Sequence, residues 1–307
     1  MIYNFNRTPP PNTGQTLVNK DIADTVGMTE TPWARLRLDS KPNMSLLVYG
    51  SKVCLGYLKT VFSLLFTGKK SDDIFTFYPD HKVFAKAHWF LMSVISEIKG
   101  MNVVMIIHSF ITYERFTNGS THKMIICSPK PGKNLYYIPN TLGVERETKL
   151  LNLDTHKGLA RRVGFFSGGV KAKGIDTIHK LSQEHQDFQF VYGGKDWGYR
   201  GDNLKYFGTI DSGNISDFFS QIDVFYFPSA YHVEFSPVVL LEAMCAGRVV
   251  VSSAFNNIDW MLPQKLKIDE ILNGNSPFNG SVYRDHYLNN FSREKRDLAL
   301  NKIFPNE

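Results

Sequence analysis

Apolar positions along this chain follow two alternating rhythms. Short runs rich in β-branched and aromatic residues are separated by stretches in which apolar side chains return every three or four positions, the pattern of parallel sheets covered by helices. The first half predicts strands at residues 2–6, 34–38, 74–78, 103–107 and 124–127, with a shorter one at 135–138. Within it, Val83, Phe84, Ala87, Phe90, Leu91, Val94, Ile95 and Ile98 keep helical spacing, so Lys82–Lys99 reads as an amphipathic helix.

From Asn140 to Asp154 the chain turns polar and unpatterned, which predicts a linker over residues 140–156. A second series of strands follows at 162–166, 188–192, 204–207, 224–227 and 249–252. Residues 283–303 then read as one charged amphipathic helix, with Tyr287, Leu288, Phe291, Leu298, Leu300 and Ile303 available for packing. The 307 residues exceed one ordinary core and suit two α/β domains, residues 1–150 and 151–287. No short repeat interrupts this plan.

Composition changes the picture little: 43% hydrophobic and 21% charged residues exclude disorder as the main state. Cys54, Cys127 and Cys245 are far apart and odd in number, which supports neither a disulfide framework nor a zinc site. Residues 1–11 lack a basic region followed by an apolar run and a cleavage site, so a cytoplasmic protein is expected. The apolar stretch 46–66 is broken by Lys52 and Lys59 and followed by Lys69 and Lys70, unlike a membrane span. With Ser45, Lys52, Lys59 and Ser63 near one face and Leu47, Leu55, Leu58, Phe62 and Leu65 spread around the rest, two readings stand: a core helix with one solvated stripe, which the pattern favours, and a helix that dips into a membrane interface.

Charge adds an asymmetry. Residues 1–155 hold 18 Lys and Arg against 12 Asp and Glu, whereas residues 156–307 hold 17 of each, so the net +6 lies in the first half. A basic first half suits an anionic lipid surface, a phosphate-bearing acceptor or nucleic acid, and sign alone does not choose. Nucleotide-binding glycine loops, phosphate loops and zinc-protease spacings are absent, and no RNA-binding motif interleaves the basic residues, so nucleic acid is not an expected partner.

The segment 223–251 carries the chemistry. Ser236 and Pro237 read as an N-cap and first-turn pair, with the helix ending at Gly247. The amides of Val238 and Val239 then make an anion site suited to phosphate. Glu234 precedes that helix and Glu242 lies about one and a half turns inside it. Carboxylates near a phosphate need hydrogen-bond donors, which sugar hydroxyls supply, so the set asks for a nucleotide sugar. Read from residue types alone, Glu242 as a solvated helix position and Glu234 as a loop charge remain equally open.

Glu234 and Glu242, spaced with seven residues between them, preceded by Pro228-Ser229 and followed by Ala243-Met244 and Gly247, resemble the retaining glycosyltransferases of the GT-B fold. The family is the "glycosyl transferases group 1", also called family 4. Gly14, Ile138-Pro139-Asn140, Lys173-Gly174-Ile175-Asp176, Tyr192-Gly193-Gly194 and Phe207-Gly208 agree in order. The resemblance is strong over residues 160–255 and scattered over 1–140. It implies two Rossmann-like domains facing each other across a cleft, with residues 288–307 returning to the first.

By the same resemblance Glu234 contacts the transferred sugar, Glu242 holds the ribose hydroxyls and Lys173 neutralises the leaving diphosphate. The family's Arg five residues before that Lys is replaced by Gly168, so either Lys171, Arg161 or Arg162 supplies the second positive charge or the leaving group is stabilised less strongly. Ser236, Pro237, Val238 and Val239 complete the donor site, Pro237 standing where Gly is frequent. Gly14 matches the glycine loop near the donor phosphates, and His108 a histidine near the donor sugar. His81, His88 and His232 are read as structural. The span between His108 and Thr121 is short for the family.

The implied activity is sugar transfer from a nucleoside-diphosphate sugar, of UDP or GDP type, to a saccharide or lipid-linked saccharide, in surface polysaccharide or glycolipid synthesis. No Asp-x-Asp occurs, so no metal is expected, and no cofactor beyond the co-substrate. Peripheral contact with the anionic inner face of a membrane is a further expectation. The rival readings are a GT-B phosphorylase or epimerase, and a GT-B module that binds a nucleotide or partner without catalysis.

Overall fold

A computed structural model describes residues 1–6, 14–31, 46–70, 72–77, 82–107, 123–126, 135–167, 169–229, 236–253, 258–274 and 277–305. The chain forms two compact units, Met1–Pro139 with Arg296–Glu307, and Asn140–Lys295.

In the first unit, β1 (Ile2–Asn4), β2 (Thr29–Glu30), β3 (Asp73–Phe77), β4 (Asn102–Ile107), β5 (Lys123–Ile126) and β6 (Leu135–Tyr137) form a parallel sheet in the order β2-β1-β3-β4-β5-β6. Helices Gly14–Val26, Leu46–Thr67 and Lys82–Lys99 make crossovers. Every residue of β4 after Asn102 is buried, as a continuous apolar run in a parallel sheet requires. His88 sits in this interior, with Nδ1 2.8 Å from the Tyr57 hydroxyl and Nε2 3.0 Å from Thr76 Oγ1; burial pushes its pKa down to about 4. That placement fits the structural role expected of it.

The second unit is built on β8 (Arg162–Ser167), β9 (Gln189–Gly194), β10 (Leu204–Gly208), β11 (Val224–Phe227) and β12 (Val249–Ser252), parallel in the order β10-β9-β8-β11-β12. A small antiparallel pair, β7 (Lys157–Gly158) with β13 (Phe278–Asn279), lies outside that sheet. The order reverses between β8 and β11, and the C-terminal ends of those strands flank the crevice in which such sheets hold ligands. Asp223, just before β11, ties the opposite edge. It accepts the amides of Arg161 (3.0 Å) and Arg162 (2.9 Å) and the Arg162 guanidinium (2.6 Å), and faces His156 Nδ1 at 3.3 Å. Burial pushes its carboxyl up, but the hydrogen bonds from His156, Arg162 and the Arg161 amide outweigh burial and hold it well below the usual carboxylate range.

Several elements depart from the sequence reading. The expected linker contains a helix, Val144–Leu151, whose Leu150 is fully buried in the second unit's core and whose Glu145 and Lys149 pair one turn apart at 2.8 Å. The division therefore falls at Pro139 and Asn140 rather than at 150 and 151. The expected single C-terminal helix is two, Ser281–Phe291 and Arg293–Ile303, separated by Ser292 in extended backbone (ψ 158°). The chain returns to the first unit at Arg296, not at 288. Arg296 is buried there against Asp21 and donates to Thr25 Oγ1 at 2.8 Å. The strand expected at 34–38 lies outside the described residues, and β1 pairs instead with Thr29–Glu30.

The outward face of Leu46–Thr67 also differs. Beside Lys59 of the expected solvated stripe, which is exposed, it carries Leu55, Leu58, Phe62 and Phe66, all exposed. Among the described residues no helix is long and apolar enough to cross a membrane.

Candidate active site

The crevice at the β8–β11 reversal is set by two glycines. Gly194 ends β9 with φ +94°, and a Cβ there would lie 2.1 Å from the Ser167 carbonyl oxygen. Gly174, with φ +104°, presses on the residue that follows β11, where a Cβ would lie 2.5 Å from Pro228 Cγ. Only glycine takes this left-handed backbone at so close an approach. The contact fixes the turn Lys171–Lys173 beside the end of β11, so Lys173 stands at the switch point.

Helix Val238–Cys245 follows β11 and begins at the same sheet edge. Pro237 is its N-cap, in extended backbone (φ −64°, ψ 121°), and no side chain caps it. Ser236 is therefore one position further out than the sequence suggested, because proline's fixed φ suits the cap as readily as the first turn. The amides of Val238 and Val239 head the helix and have no intrahelical acceptor, which leaves them suited to an anion. The Leu240 amide turns back to the Pro237 carbonyl at 3.1 Å. The Ser236 carbonyl accepts the Asn140 side-chain amide at 3.0 Å. The hydroxyls of Ser236 and of Ser167, at the end of β8, are buried and make no hydrogen bond among the described residues.

Glu242 is 2% exposed, and Oε1 accepts Nη1 of Arg146. Burial pushes its pKa up to about 7 against the opposing pull of the guanidinium. Arg146 Nη2 reaches Ser212 Oγ at 3.3 Å, and Lys149 Nζ donates to the Ser212 carbonyl at 2.8 Å. Glu147 Oε1 accepts the Tyr287 hydroxyl at 2.7 Å. Helix Val144–Leu151 thus bridges the loop after β10 and the helix bearing Glu242. The sequence reading missed Arg146 and Ser212. The Glu145–Lys149 spacing and the Leu150-Leu151 pair were the signals that this stretch is helical.

The remaining candidates divide clearly. Lys171 is exposed and paired with Asp176 at 3.2 Å, a hydrogen bond that raises its pKa. Asp176 also accepts the Tyr199 hydroxyl at 2.7 Å, and Tyr199 stacks on His179 at 4.2 Å. Arg161 pairs with Asp187 at 2.9 Å and Arg162 with Asp223. Both arginines lie at the start of β8, about 17 Å of strand from its C-terminal end, so neither supplies a second charge at the crevice. Gly14 opens helix Gly14–Val26 rather than standing in a loop. Glu234, His108 and Gly168 lie outside the described residues. Among the described residues no three His, Cys, Asp or Glu side chains are grouped to hold a metal.

With this geometry in hand, the likenesses to known proteins fall on the same segment. Residues 162–266 match the family model described as "Glycosyl transferases group 1". A solved glycosyltransferase from Rickettsia africae ESF-5 is similar at 11% identity, covering 94% of this chain and 88% of that one, with a TM-score of 0.56. An alpha-glucosyltransferase solved with UDP-glucose and DNA containing an abasic site is similar at 12% identity, covering 98% and 94% of the two chains, with a TM-score of 0.50. At such identity these two structures speak to the fold. No curated protein matches the sequence. The second unit carries a group 1 glycosyltransferase domain, and the α/β fold with its two parallel sheets is that of the GT-B class.

Proposed function

We propose that the chain is a retaining glycosyltransferase with no required metal, moving a sugar from a UDP- or GDP-type donor to a hydroxyl of a saccharide or lipid-linked saccharide. The observation that carries this reading is the edge of the group 1 domain at the β8–β11 reversal. There the Val238 and Val239 amides and the hydroxyls of Ser167 and Ser236, buried and without a partner among the described residues, accompany a buried carboxylate, Glu242. Buried polar atoms without partners ask for a ligand that pairs them. A diphosphate fits the helix terminus, and ribose hydroxyls fit the carboxylate.

The retaining course rests on the resemblance of the Glu234 and Glu242 spacing. The acceptor oxygen bonds to the anomeric carbon on the face from which the diphosphate oxygen departs, and the acceptor proton passes to a phosphate oxygen. Lys173 and the helix terminus stabilise the charge that grows on the leaving group. Glu234 contacts the sugar in flight. Surface polysaccharide or glycolipid synthesis, cytoplasmic residence and contact with the inner membrane face belong to the same reading, supported by the family resemblance and the basic first half.

Incubation with UDP- and GDP-sugars and a saccharide panel, followed by NMR of the anomeric centre, tests the proposal. Transfer with retained configuration is expected, and Glu234→Ala should cut turnover while leaving much of the nucleotide binding. An inverted product would contradict the retaining course. Donor that is never consumed across the panel would overturn the transfer reading.

A further inference from the structure

Helix Leu46–Thr67 has two apolar faces where a surface helix needs one. Its inner face buries Thr60, Val61 and Leu64 on the first unit's core. Its outer face leaves Leu55 54%, Leu58 51%, Phe62 56% and Phe66 81% exposed. These four positions fall within about 80° of arc and run for about 17 Å along the helix. Phe62 and Phe66 stack at 6.4 Å with their planes 14° apart, so the stripe is continuous at its C-terminal end. An apolar strip of this extent exposed on a folded unit marks an interaction surface.

The charges beside it select the occupant. Lys59, Lys69 and Lys70 are exposed along and just beyond the stripe, and residues 46–70 contain no Asp or Glu. A second copy of the chain docked face to face would set these lysines against their own like charges with no carboxylate on the helix to meet them. A bilayer surface with anionic headgroups instead takes the apolar side chains into its interfacial zone and the ammonium groups among its phosphates. We propose that the first unit docks on an anionic lipid surface through the outer face of Leu46–Thr67, with Leu55, Leu58, Phe62 and Phe66 inserted and Lys59, Lys69 and Lys70 at the headgroups. Nothing in this argument depends on sugar transfer.

The test is co-sedimentation of the full chain with vesicles of phosphatidylcholine alone and of equal parts phosphatidylcholine and phosphatidylglycerol. The wild-type chain should pellet with the anionic vesicles and far less with the neutral ones. The double variant Phe62→Ser and Phe66→Ser should lose at least about tenfold in affinity, as two side chains leave the interface. The triple variant Lys59→Gln, Lys69→Gln and Lys70→Gln should lose the preference for phosphatidylglycerol and most of the salt sensitivity. Melting profiles like that of the wild type establish that both variants are folded. Wild-type chain left in the supernatant with both vesicle types, or binding unchanged by removal of both phenylalanines, overturns the proposal. So does a wild-type dimer in light scattering that becomes monomeric in the phenylalanine variant without any vesicle binding, since the stripe would then belong to a second copy.

Discussion

Arg146 Nη1 is bonded to Glu242 Oε1 across 96 positions of chain, joining helix Val144–Leu151 to the helix that opens the candidate site. The carboxylate is nearly fully buried, whereas the arginine keeps about a fifth of its side-chain area. Removing the arginine therefore strands a carboxylate that has no other hydrogen-bond partner among the described residues. Arg146→Met should cost about 3 kcal/mol, read from the denaturant midpoint, and Arg146→Lys distinctly less. Unchanged stability in Arg146→Met would mean that the pair does not hold the two helices together.

The same carboxyl predicts a pH signature. Glu242 has its pKa raised from 4.5 to about 7 in the folded chain, so folding takes up a proton between those values. Its contribution is fully present below pH 4.5 and is lost as pH rises through about 7. Unfolding free energies of the wild type minus those of Glu242→Gln, measured from pH 4 to 8, should fall across that window and flatten above it. A flat difference would show that Glu242 titrates normally.

Asp223 predicts the opposite slope. Its carboxyl is held below its usual range, so the stability it contributes is present above pH 3.8 and is lost as pH falls below that value. Asp223→Asn should destabilise the chain by about 3 kcal/mol at pH 7, since the side chain keeps one acceptor oxygen, loses its charge and turns an NH2 donor toward either the Arg162 guanidinium or the two main-chain amides, and by progressively less toward pH 2. An equal cost at both ends of the range would contradict the ion-pair account.

Much of the second unit was legible in the sequence. Val224–Phe227 and Val249–Ser252 are observed with the expected bounds because each is a short apolar run buried on both faces. The start of the helix at Val238 could be read to within one position because serine and proline before an apolar run have few other uses. Arg146 was not legible, since a polar eight-residue helix with Leu150 as its buried residue looks like a linker until its partners are known. Nor was the outer face of Leu46–Thr67: periodicity locates an apolar position on a helix but cannot tell which of two apolar faces meets the core.

The close approach at Gly174 can be measured against a glycine that touches nothing. Gly174→Ala meets both a φ of +104° and Pro228, whereas Gly27, at φ +71°, has no neighbour within 4 Å of an added Cβ. Gly27→Ala should cost about 1 kcal/mol and Gly174→Ala about 2–4 kcal/mol, with weaker nucleotide binding in the latter as the Lys173 turn is pushed off β11. Equal melting temperatures for the two variants would contradict the packing of that turn on Pro228.

The central claim is that helix Val238–Cys245 and Glu242 form a nucleotide-sugar site, and calorimetric titration with UDP, GDP, ADP and CMP without added metal tests it most directly. The account predicts saturable binding of UDP or GDP by the wild type and its loss in Glu242→Ala, with that variant shown to be folded by circular dichroism. Binding of none of the four, or binding that survives unchanged in Glu242→Ala, would contradict it.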